Sequence, residues 1–326
     1  MIMKDKVSII IPAFDASKFI VETIDSAMQQ LHKNIEIIII DDDSKDNTWD
    51  IIKSCKDKHP DLIRIFKNKR KGACAARNYG FELSTGDYIQ YLDADDILHP
   101  SKIENQLQLF EQFGDEIIVS GYWGRFYNTI DTVKWGNQVI NKNYDAPVNW
   151  LIDSWNGNGM GQTSIWLTTS RLIESSGPWN EKLLINQDGE FFSRVLLNAK
   201  AIKFCEGAKV YYRSGNLNSI TRKNNFGEFK AISLLHSYNL YESNCKDYID
   251  SNRLKKGLAN NYMNFIYEFY PLFPKLLKSS EDNFYSLGFK KMWPVGGYRF
   301  KKLANMIGFK NALVIRNGIN KINLKI

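Results

Sequence analysis

Two clusters of aspartates stand out as residues that could do chemistry. The stretch YIQYLDADDILHP, which begins at Tyr88, carries three carboxylates within four positions, Asp93, Asp95 and Asp96, and the second cluster, Asp41–Asp43, follows an apolar run. Crowded like charges repel unless a cation or a hydrogen-bond donor offsets them. Mg²⁺ and Mn²⁺ prefer oxygen ligands, and Mg²⁺ takes only one or two protein carboxylates beside water and phosphate oxygens. The clusters therefore indicate a divalent cation shared with a diphosphate, with solvated turns as the alternative.

Both clusters follow strands in a predicted alternation of strand and helix over residues 1 to about 120. Short β-branched apolar runs predict strands buried on both faces, and apolar residues recurring every three or four positions predict helices. The predicted strands are Val7–Ile11, Ile35–Ile40, Leu62–Phe66, Asp87–Leu92 and Ile117–Ser120, and the predicted helices are Ser17–Leu31 with Ser17 as N-cap, one after Asp43, Ala73–Leu83 and Pro100–Phe113. This order predicts a doubly wound α/β sheet with its ligand crevice beyond the carboxyl ends of the strands, where both clusters fall.

The rest of the chain is less regular. Tyr122–Asn158 is rich in Trp, Asn and Gly and predicts a mobile loop. Beyond it we predict strands at Thr163–Thr168, Ala201–Cys205 and Lys209–Arg213, a helix at Gly189–Asn198, and helices from about Phe226 to the end. We expect a catalytic domain over 1–222, with a nucleotide half at about 1–120 and an acceptor half at about 121–222, and a helical region over 223–326.

Composition limits the partners and the compartment. The chain has 326 residues and a formal net charge of +7, so anionic partners are favoured. No acidic residue follows Asp282, whereas nine lysines and arginines do. Four scattered cysteines, an N-terminus without the features of a signal peptide and the absence of a long apolar run predict a reduced, cytoplasmic protein. The basic C-terminal region would either make a peripheral membrane contact or cap the catalytic domain with a solvated basic face.

Four motifs occur in a definite order. They are VSIIIPAF from Val7, IEIIIIDDDSKDNT from Ile35, KGACAARNYGFELSTGDYIQYLDADD from Lys71 and GPWNEKLLINQDGEFFSRVL from Gly177. Together, over roughly residues 5 to 220, they resemble the family 2 inverting glycosyltransferases with the GT-A fold, of the bacterial surface-polysaccharide type. The order and spacing of several motifs are more specific than a lone Asp-x-Asp.

The resemblance implies a fold and an activity. The fold would be a GT-A type mixed sheet, Rossmann-like in its nucleotide half, followed by an α-helical C-terminal region. The activity would be that of a hexosyl- or hexosaminyltransferase, dependent on Mn²⁺ or Mg²⁺, that moves a sugar with inversion from a UDP-type donor to a saccharide or lipid-linked saccharide. No nucleic-acid partner is expected.

The resemblance also implies a donor site. Pro12, Ala13 and Phe14 would frame the base, with Asp15 where the family often has Asn, and Asp42 would accept a hydrogen bond from the base while Asp41 braces the turn. Asp93 and Ala94 would contact the ribose or the sugar, Asp95 would bind the metal, and Asp96 would assist it or cap the next helix. Arg77 would meet the donor's phosphates at a helix start or, as we favour, pair with Asp93.

A general base completes the implied site. Asp188 matches the family's aspartate, although Gln187 replaces the usual neighbouring Glu, and Glu190 is the second candidate. Arg213, in a segment that resembles a loop closing over the diphosphate, would bind phosphate, but Ser214, Gly215 and Asn216 stand where a His is often present. Sugar rings could stack on tryptophans, for which the candidates are Trp135, Trp150, Trp155 and Trp166.

Two other classes of function stay open. Clustered aspartates at strand ends also serve metal-dependent nucleotidyl or phosphoryl transfer, although the chain lacks a Gly-x-x-x-x-Gly-Lys loop. A non-catalytic binder of anionic ligands would use the basic tail. A dinucleotide oxidoreductase is disfavoured, because the first strand runs into Pro-Ala-Phe-Asp without a glycine-rich turn.

Overall fold

The first sheet is built from the buried apolar runs near the start of the chain. The structure, a computed structural model, describes residues 5–215 and 227–321. The strands of this sheet are β1 (Val7–Ala13), β2 (Ile35–Asp41), β3 (Ile63–Lys67), β4 (Tyr88–Tyr91) and, later in the chain, β8 (Thr168–Thr169). Their order is β3-β2-β1-β4-β8, parallel except for the antiparallel β8. The predicted mixed, doubly wound α/β sheet is confirmed.

The helices that connect these strands match the predicted ones to within a few residues. They are α1 (Ile20–Met28), α2 (Thr48–Lys58), α3 (Ala73–Leu83) and α4 (Lys102–Phe113). Ser17 is not the N-cap of α1: Phe19 precedes the helix, and the Ser17 N–H donates to Asp46 Oδ2 at 3.1 Å. Ser17 therefore belongs to the turn between β1 and α1, and its hydrogen bond to Asp46 links this turn to the turn after β2.

A second sheet lies beside the first. Its order is β5-β9-β6-β7, formed by β5 (Ile97–Leu98), β6 (Ile117–Phe126), β7 (Lys134–Trp135) and β9 (Ala201–Arg213). The two strands predicted around residue 207 are one strand, β9, whose register against the parallel β6 shifts between Gly121 and Tyr122. A Cβ on Gly121 would overlap the Ala208 carbonyl oxygen, so the absence of a side chain lets the strands meet at this bulge.

The prediction of a loop over Tyr122–Asn158 is wrong for much of that segment. It holds the end of β6, then β7 and α5 (Val148–Asp153), and Trp150 is buried against Trp166. The strand predicted at Thr163–Thr168 is instead a 3₁₀ turn, Thr163–Ile165, followed by β8. Burial of aromatic side chains orders this segment despite its loop-like composition.

Helices make up the remainder. These are α6 (Ser170–Ser176), α7 (Gln187–Asn198), α8 (Gly227–Asn244), α9 (Asn252–Phe269), α10 (Pro274–Ser286), α11 (Tyr298–Ile307) and α12 (Phe309–Lys321). The helical C-terminal region is confirmed, and its buried residues, such as Phe284 and Leu313, belong to the same apolar core as those of β1. The boundary predicted at 222/223 falls outside the described residues and stays a prediction. Within the described ranges, no helix has the length and apolar character needed to cross a bilayer.

Candidate active site

A cleft of about 650 Å³ opens at the carboxyl ends of β1, β2 and β4, between the two sheets and the start of α7. Ten residues named from the sequence line it: Pro12, Ala13, Phe14, Asp42, Arg77, Asp93, Ala94, Asp95, Asp188 and Arg213. They come from segments far apart in sequence, and the fold brings all ten together. Their individual roles in binding and catalysis stay predictions.

The turn after β2 gives its two aspartates different tasks. Asp41 is fully buried and pairs with Lys67, with Nζ 2.7 Å from Oδ2, so it braces the turn. Asp42 lines the cleft, and its carboxylate accepts from Asn68 Nδ2 at 2.7 Å and from the Gly72 N–H at 2.9 Å. Burial raises the pKa of Asp42, while the hydrogen bonds from Asn68 and Gly72 oppose that rise. Gly72 adopts φ 108°, a conformation that favours glycine, to bring its N–H to this carboxylate.

The turn after β4 separates its three carboxylates. Arg77 donates from Nη2 to Asp93 Oδ1 at 2.8 Å, so the predicted pairing is confirmed. Asp96 is fully buried, where it accepts from Gln162 Nε2 at 2.5 Å and from the Arg213 N–H at 3.0 Å. Burial, together with the neighbouring carboxylates, raises the pKa of Asp96 well above its usual range.

This arrangement corrects two expectations. Asp96 does not cap the next helix, because α4 begins at Lys102 and follows Ser101. A metal is not needed to offset all three carboxylates, since protein groups already satisfy Asp93 and Asp96. Asp95 lines the cleft between them.

The donor set around Asp95 fits one kind of metal site. Within residues 5–215 and 227–321, no three His, Cys, Asp or Glu side chains are grouped to hold an ion. A cage made of protein ligands is therefore not present in this part of the chain. A cation held by Asp95, with most of its ligands supplied by water and phosphate oxygens, suits Mg²⁺ or Mn²⁺.

Two arginines of the cleft, Arg77 and Arg213, are held in place. Arg77 is buried over the Trp179 ring, 4.5 Å from its centroid, and also donates to Gln187 Oε1 at 3.3 Å. Arg213 donates from Nη2 to Glu22 Oε2 at 2.5 Å and from Nε to the Asp95 carbonyl at 2.9 Å. Arg213 therefore fixes the backbone of the turn that carries Asp95. Asn216, with the rest of the predicted loop, lies outside the described residues.

Asp188 lies in the first turn of α7, and helix α8 holds that turn. Asn186 precedes α7 with φ 56°, donates from Nδ2 to Ser237 Oγ at 2.8 Å and accepts from the Tyr241 hydroxyl at 3.0 Å. Glu190, two residues after Asp188, is buried, and its Oε1 lies 2.8 Å from Arg194 Nε in an ion pair. Since Glu190 is engaged and does not line the cleft, Asp188 is the better candidate base.

The surroundings of Asp188 raise the pKa of its carboxyl group, which suits a proton acceptor. Burial raises the pKa of Asp188, and the negative charge of Asp93 adds to the rise, while the Gly189 N–H and the positive charge of Arg77 oppose it. A carboxylate with a raised pKa is a stronger base than an exposed aspartate, which suits abstraction of a proton from a hydroxyl.

Sequence reasoning missed an aromatic side of the cleft. Among the described residues that line the cleft, none is one of the four tryptophans proposed for stacking. Trp123, Arg125 and Tyr212 line it instead. Trp150 and Trp166 are buried, and Trp155 stacks on Tyr241. The missed signal is strand alternation, because extending β6 past Ser120 places Trp123 and Arg125 on one face.

Comparisons with known proteins agree with this fold. Residues 8–154 match the model of glycosyl transferase family 2. The Escherichia coli UDP-Glc:alpha-D-GlcNAc-diphosphoundecaprenol beta-1,3-glucosyltransferase WfaP is 48% identical over 105 residues, which are 32% of this chain and 41% of WfaP. Glycosyltransferase GlyG of Streptococcus pneumoniae serotype 4 is 30% identical over 132 residues, 38% of this chain and 44% of GlyG. The chain spans less than half the length of these relatives.

Solved structures extend the likeness beyond the matched segment. S. aureus TarS 1–349 in complex with UDP-GlcNAc has a TM-score of 0.60 at 15% identity, covering 93% of this chain and 92% of that one. Mannosyltransferase PcManGT from Pyrobaculum calidifontis, in complex with GDP-Man and Mn²⁺, has a TM-score of 0.54 at 13% identity, covering 98% and 89%. At such identities the likeness shows the fold alone. Residues 8–154 therefore match a glycosyl transferase family 2 domain, and the described chain has the GT-A fold.

Proposed function

We propose that the protein is an inverting, metal-dependent glycosyltransferase that moves a sugar from a UDP-sugar to a saccharide or lipid-linked saccharide acceptor in cell-surface polysaccharide synthesis. One observation carries the proposal: a single cleft gathers Asp42, Asp95 and Asp188 from three distant segments. The name of WfaP pairs UDP-Glc with alpha-D-GlcNAc-diphosphoundecaprenol, which supports both the UDP donor and the acceptor class. The complex of TarS with UDP-GlcNAc also supports the UDP donor.

Each residue has a defined part in the reaction. Asp42, with Phe14 beside it, would hold the base, since a carboxylate can accept from the N–H of uracil. Asp188 would take the proton of the acceptor hydroxyl as that oxygen bonds to the anomeric carbon. The bond from this carbon to the diphosphate breaks on the opposite face, so the configuration inverts, and the electron pair leaves with UDP. No covalent enzyme intermediate is needed.

Arg77 would keep the reacting groups aligned. It contacts Asp93 after β4 and Gln187 at the start of α7, and its charge opposes the burial-driven rise in the pKa of Asp188. A metal bound at Asp95 would neutralise the charge that develops on the departing diphosphate. The Mn²⁺ in the PcManGT complex supports such an ion.

We also propose that the protein works at the inner face of the plasma membrane, in the cytoplasm. Helix α11 buries Phe300 and Ala304 in the core, so it packs on the protein as a helical cap. On its other side, Tyr298 and Met306 are 82% and 77% exposed beside the exposed Lys302. An apolar and basic surface of this kind suits an anionic bilayer. Co-sedimentation with phosphatidylglycerol liposomes tests this: the double variant Lys302→Glu, Met306→Ser should lose binding, whereas Lys53→Glu on the exposed face of α2 should keep it.

Donor turnover tests the enzyme. The protein is incubated with Mn²⁺ or EDTA and a panel of nucleotide sugars, with and without acceptor saccharides, and release of UDP is measured. Asp188→Asn and Asp95→Asn should lose turnover by a hundredfold or more, with UDP binding kept in Asp188→Asn. The exposed Asp61→Asn is the matched control.

Other products would favour other functions. Release of pyrophosphate or phosphate would point to nucleotidyl or phosphoryl transfer. Binding of nucleotides without turnover under any condition, unaffected by either substitution, would point to a non-catalytic binder. An anomeric proton coupling that shows retained configuration in the product would refute the inverting mechanism.

A further inference from the structure

One side of the cleft has no part in the roles above. Trp123 and Arg125 of β6 and Tyr212 of β9 form this side, here named the β6 wall. Arg125 is opposite Tyr212 in the parallel register, and strand alternation puts Trp123 on the same face. The Trp123 and Tyr212 rings meet edge to face, 5.6 Å apart and at 82°. The three side chains therefore form one continuous surface.

The tryptophan in this wall is fixed and accessible. The Trp123 indole N–H donates to the Met160 carbonyl at 3.1 Å, which sets the orientation of the ring. Met160 is 53% exposed beside it, so a flat apolar surface borders the cleft. Aromatic faces of this kind pack against the C–H faces of sugar rings, as they do against other apolar surfaces with polar edges.

Among the described arginines that line the cleft, Arg125 is the one that no described carboxylate engages. Its guanidinium carbon lies 5.8 Å from the Trp123 ring centroid and 5.7 Å from that of Tyr212, and the side chain is exposed. Arg77 and Arg213, the other arginines of the lining, are engaged with Asp93 and Glu22. Within the described residues, Arg125 makes no ion pair. Guanidinium groups held on aromatic rings bind phosphate well, because their planar fork matches two phosphate oxygens.

The position of the wall separates it from the predicted base site. The β6 wall belongs to the second sheet, whereas Phe14 and Asp42 follow strands of the first. Tyr212 lies near the turn after β4, because the next residue of β9, Arg213, donates its N–H to Asp96 Oδ1 at 3.0 Å and from Nε to the Asp95 carbonyl at 2.9 Å. Burial and the charge of the carboxylates on this turn raise the pKa of Tyr212 to about 12. The wall thus adjoins the turn that carries Asp95 and belongs to a different sheet from the strands that precede the predicted base site.

We propose that the β6 wall is the acceptor subsite. The indole of Trp123 packs against a sugar ring of the acceptor, and the guanidinium of Arg125 binds a phosphate attached to that sugar. The inference rests on the proposed function and narrows its acceptor to a saccharide joined to phosphate or diphosphate. The diphosphate of the donor offers the same contact to Arg125, and the titrations below distinguish the donor's phosphate from the acceptor's.

Two titrations make the test. Affinity for UDP with Mn²⁺ is measured first by calorimetry; then, with UDP and Mn²⁺ saturating, a short-chain prenyl phosphate and the matching prenyl alcohol are titrated. Wild type should bind the phosphate more tightly than the alcohol. Arg125→Gln should weaken prenyl phosphate binding by about tenfold or more and leave UDP affinity within about twofold, because one charge-assisted contact is lost. Arg125→Lys should keep part of the affinity, and Arg171→Gln, an exposed arginine outside the cleft, should change neither titration.

Each contrary outcome has one meaning. Unchanged prenyl phosphate binding in Arg125→Gln, or UDP binding by wild type without any prenyl phosphate binding, would overturn the subsite alone. Equal weakening of UDP binding would assign Arg125 to the donor and also overturn it. Failure of wild type to bind UDP would instead overturn the proposed function. In the transfer assay, Trp123→Leu should raise the acceptor KM severalfold without changing the donor KM; an unchanged acceptor KM would remove the sugar-stacking part.

Discussion

Substitution of Gly189 by alanine tests how helix α8 positions the candidate base. A Cβ at this position would overlap the Tyr241 hydroxyl and come within 2.6 Å of Asn186 Oδ1. Alanine in a helix is normally favoured over glycine by about 1 kcal/mol, whereas overpacking a buried contact costs about 1–3 kcal/mol. We therefore expect Gly189→Ala to lower the free energy of unfolding by about 1 kcal/mol. Because the turn carrying Asp188 must shift, we also expect kcat to fall by about tenfold to a hundredfold.

Three further variants make this prediction sharp. Tyr241→Phe removes the overlapping hydroxyl, so the double variant Gly189→Ala, Tyr241→Phe should be less impaired than the sum of the single variants. Gly318 in α12 is the matched control, since a Cβ there meets nothing within 4 Å, and Gly318→Ala should stabilise the protein by about 1 kcal/mol or less. Urea unfolding and UDP release are measured for all four. If Gly189→Ala proved as stable and as active as wild type, the proposed positioning of α7 by α8 would be refuted.

Three other predictions follow from the same contacts. The acidic limb of the pH profile of kcat/KM should have a midpoint above the ordinary aspartate pKa of 3.8, because burial raises the pKa of Asp188. The midpoint should move higher still in Arg77→Gln, because the positive charge that opposes this rise is lost. A midpoint at or below 3.8 would contradict the prediction. Arg77→Gln should also lower the free energy of unfolding by about 2–3 kcal/mol in urea, since a largely buried partner of Asp93 is lost, and a change below about 0.5 kcal/mol would show that the pair is not stabilising. Lys102 is fully buried between Gln90 and Gln106, and burial lowers its pKa from 10.5 to about 7. The unfolded chain then binds this proton more tightly, so the free energy of unfolding should rise between about pH 7 and 10.5 by up to about 5 kcal/mol. Lys102→Met should lose that rise when unfolding is measured across the range, and an unchanged pH dependence would refute the shift.

The sequence predicted the four parallel strands of the first sheet well, because their runs of β-branched and aromatic residues are distinctive. Ile35–Asp41 is buried at every position, so its run of isoleucines has one stable environment, the middle of a sheet covered on both faces. The segment after Ser120 could not be read in the same way. The structure of this segment depends on residues far away in sequence. Strand β6 continues because β9 pairs with it, and Trp150 is held by packing on Trp166.

The candidate site was predicted where chemistry and strand ends coincide. Asp42 and Asp95 follow buried strands, so topology alone brings them to one crevice. Which aspartates are held by protein groups and which line the cleft was not predictable, because it depends on contacts between residues distant in sequence. Lys67 pairs with Asp41, and Gln162 donates to Asp96. Long-range hydrogen bonds of this kind leave no periodic trace in the sequence.

The clamp of α8 on Asn186 has a consequence for engineering this chain. Residues 8–154, which match the family model, contain neither the candidate base nor Ser237 and Tyr241, which hold its turn. A chimera that exchanged only the recognised segment would take the predicted nucleotide site from one parent and the candidate base from the other. A graft intended to carry a complete reaction centre has to run unbroken through Asn244, the last residue of α8.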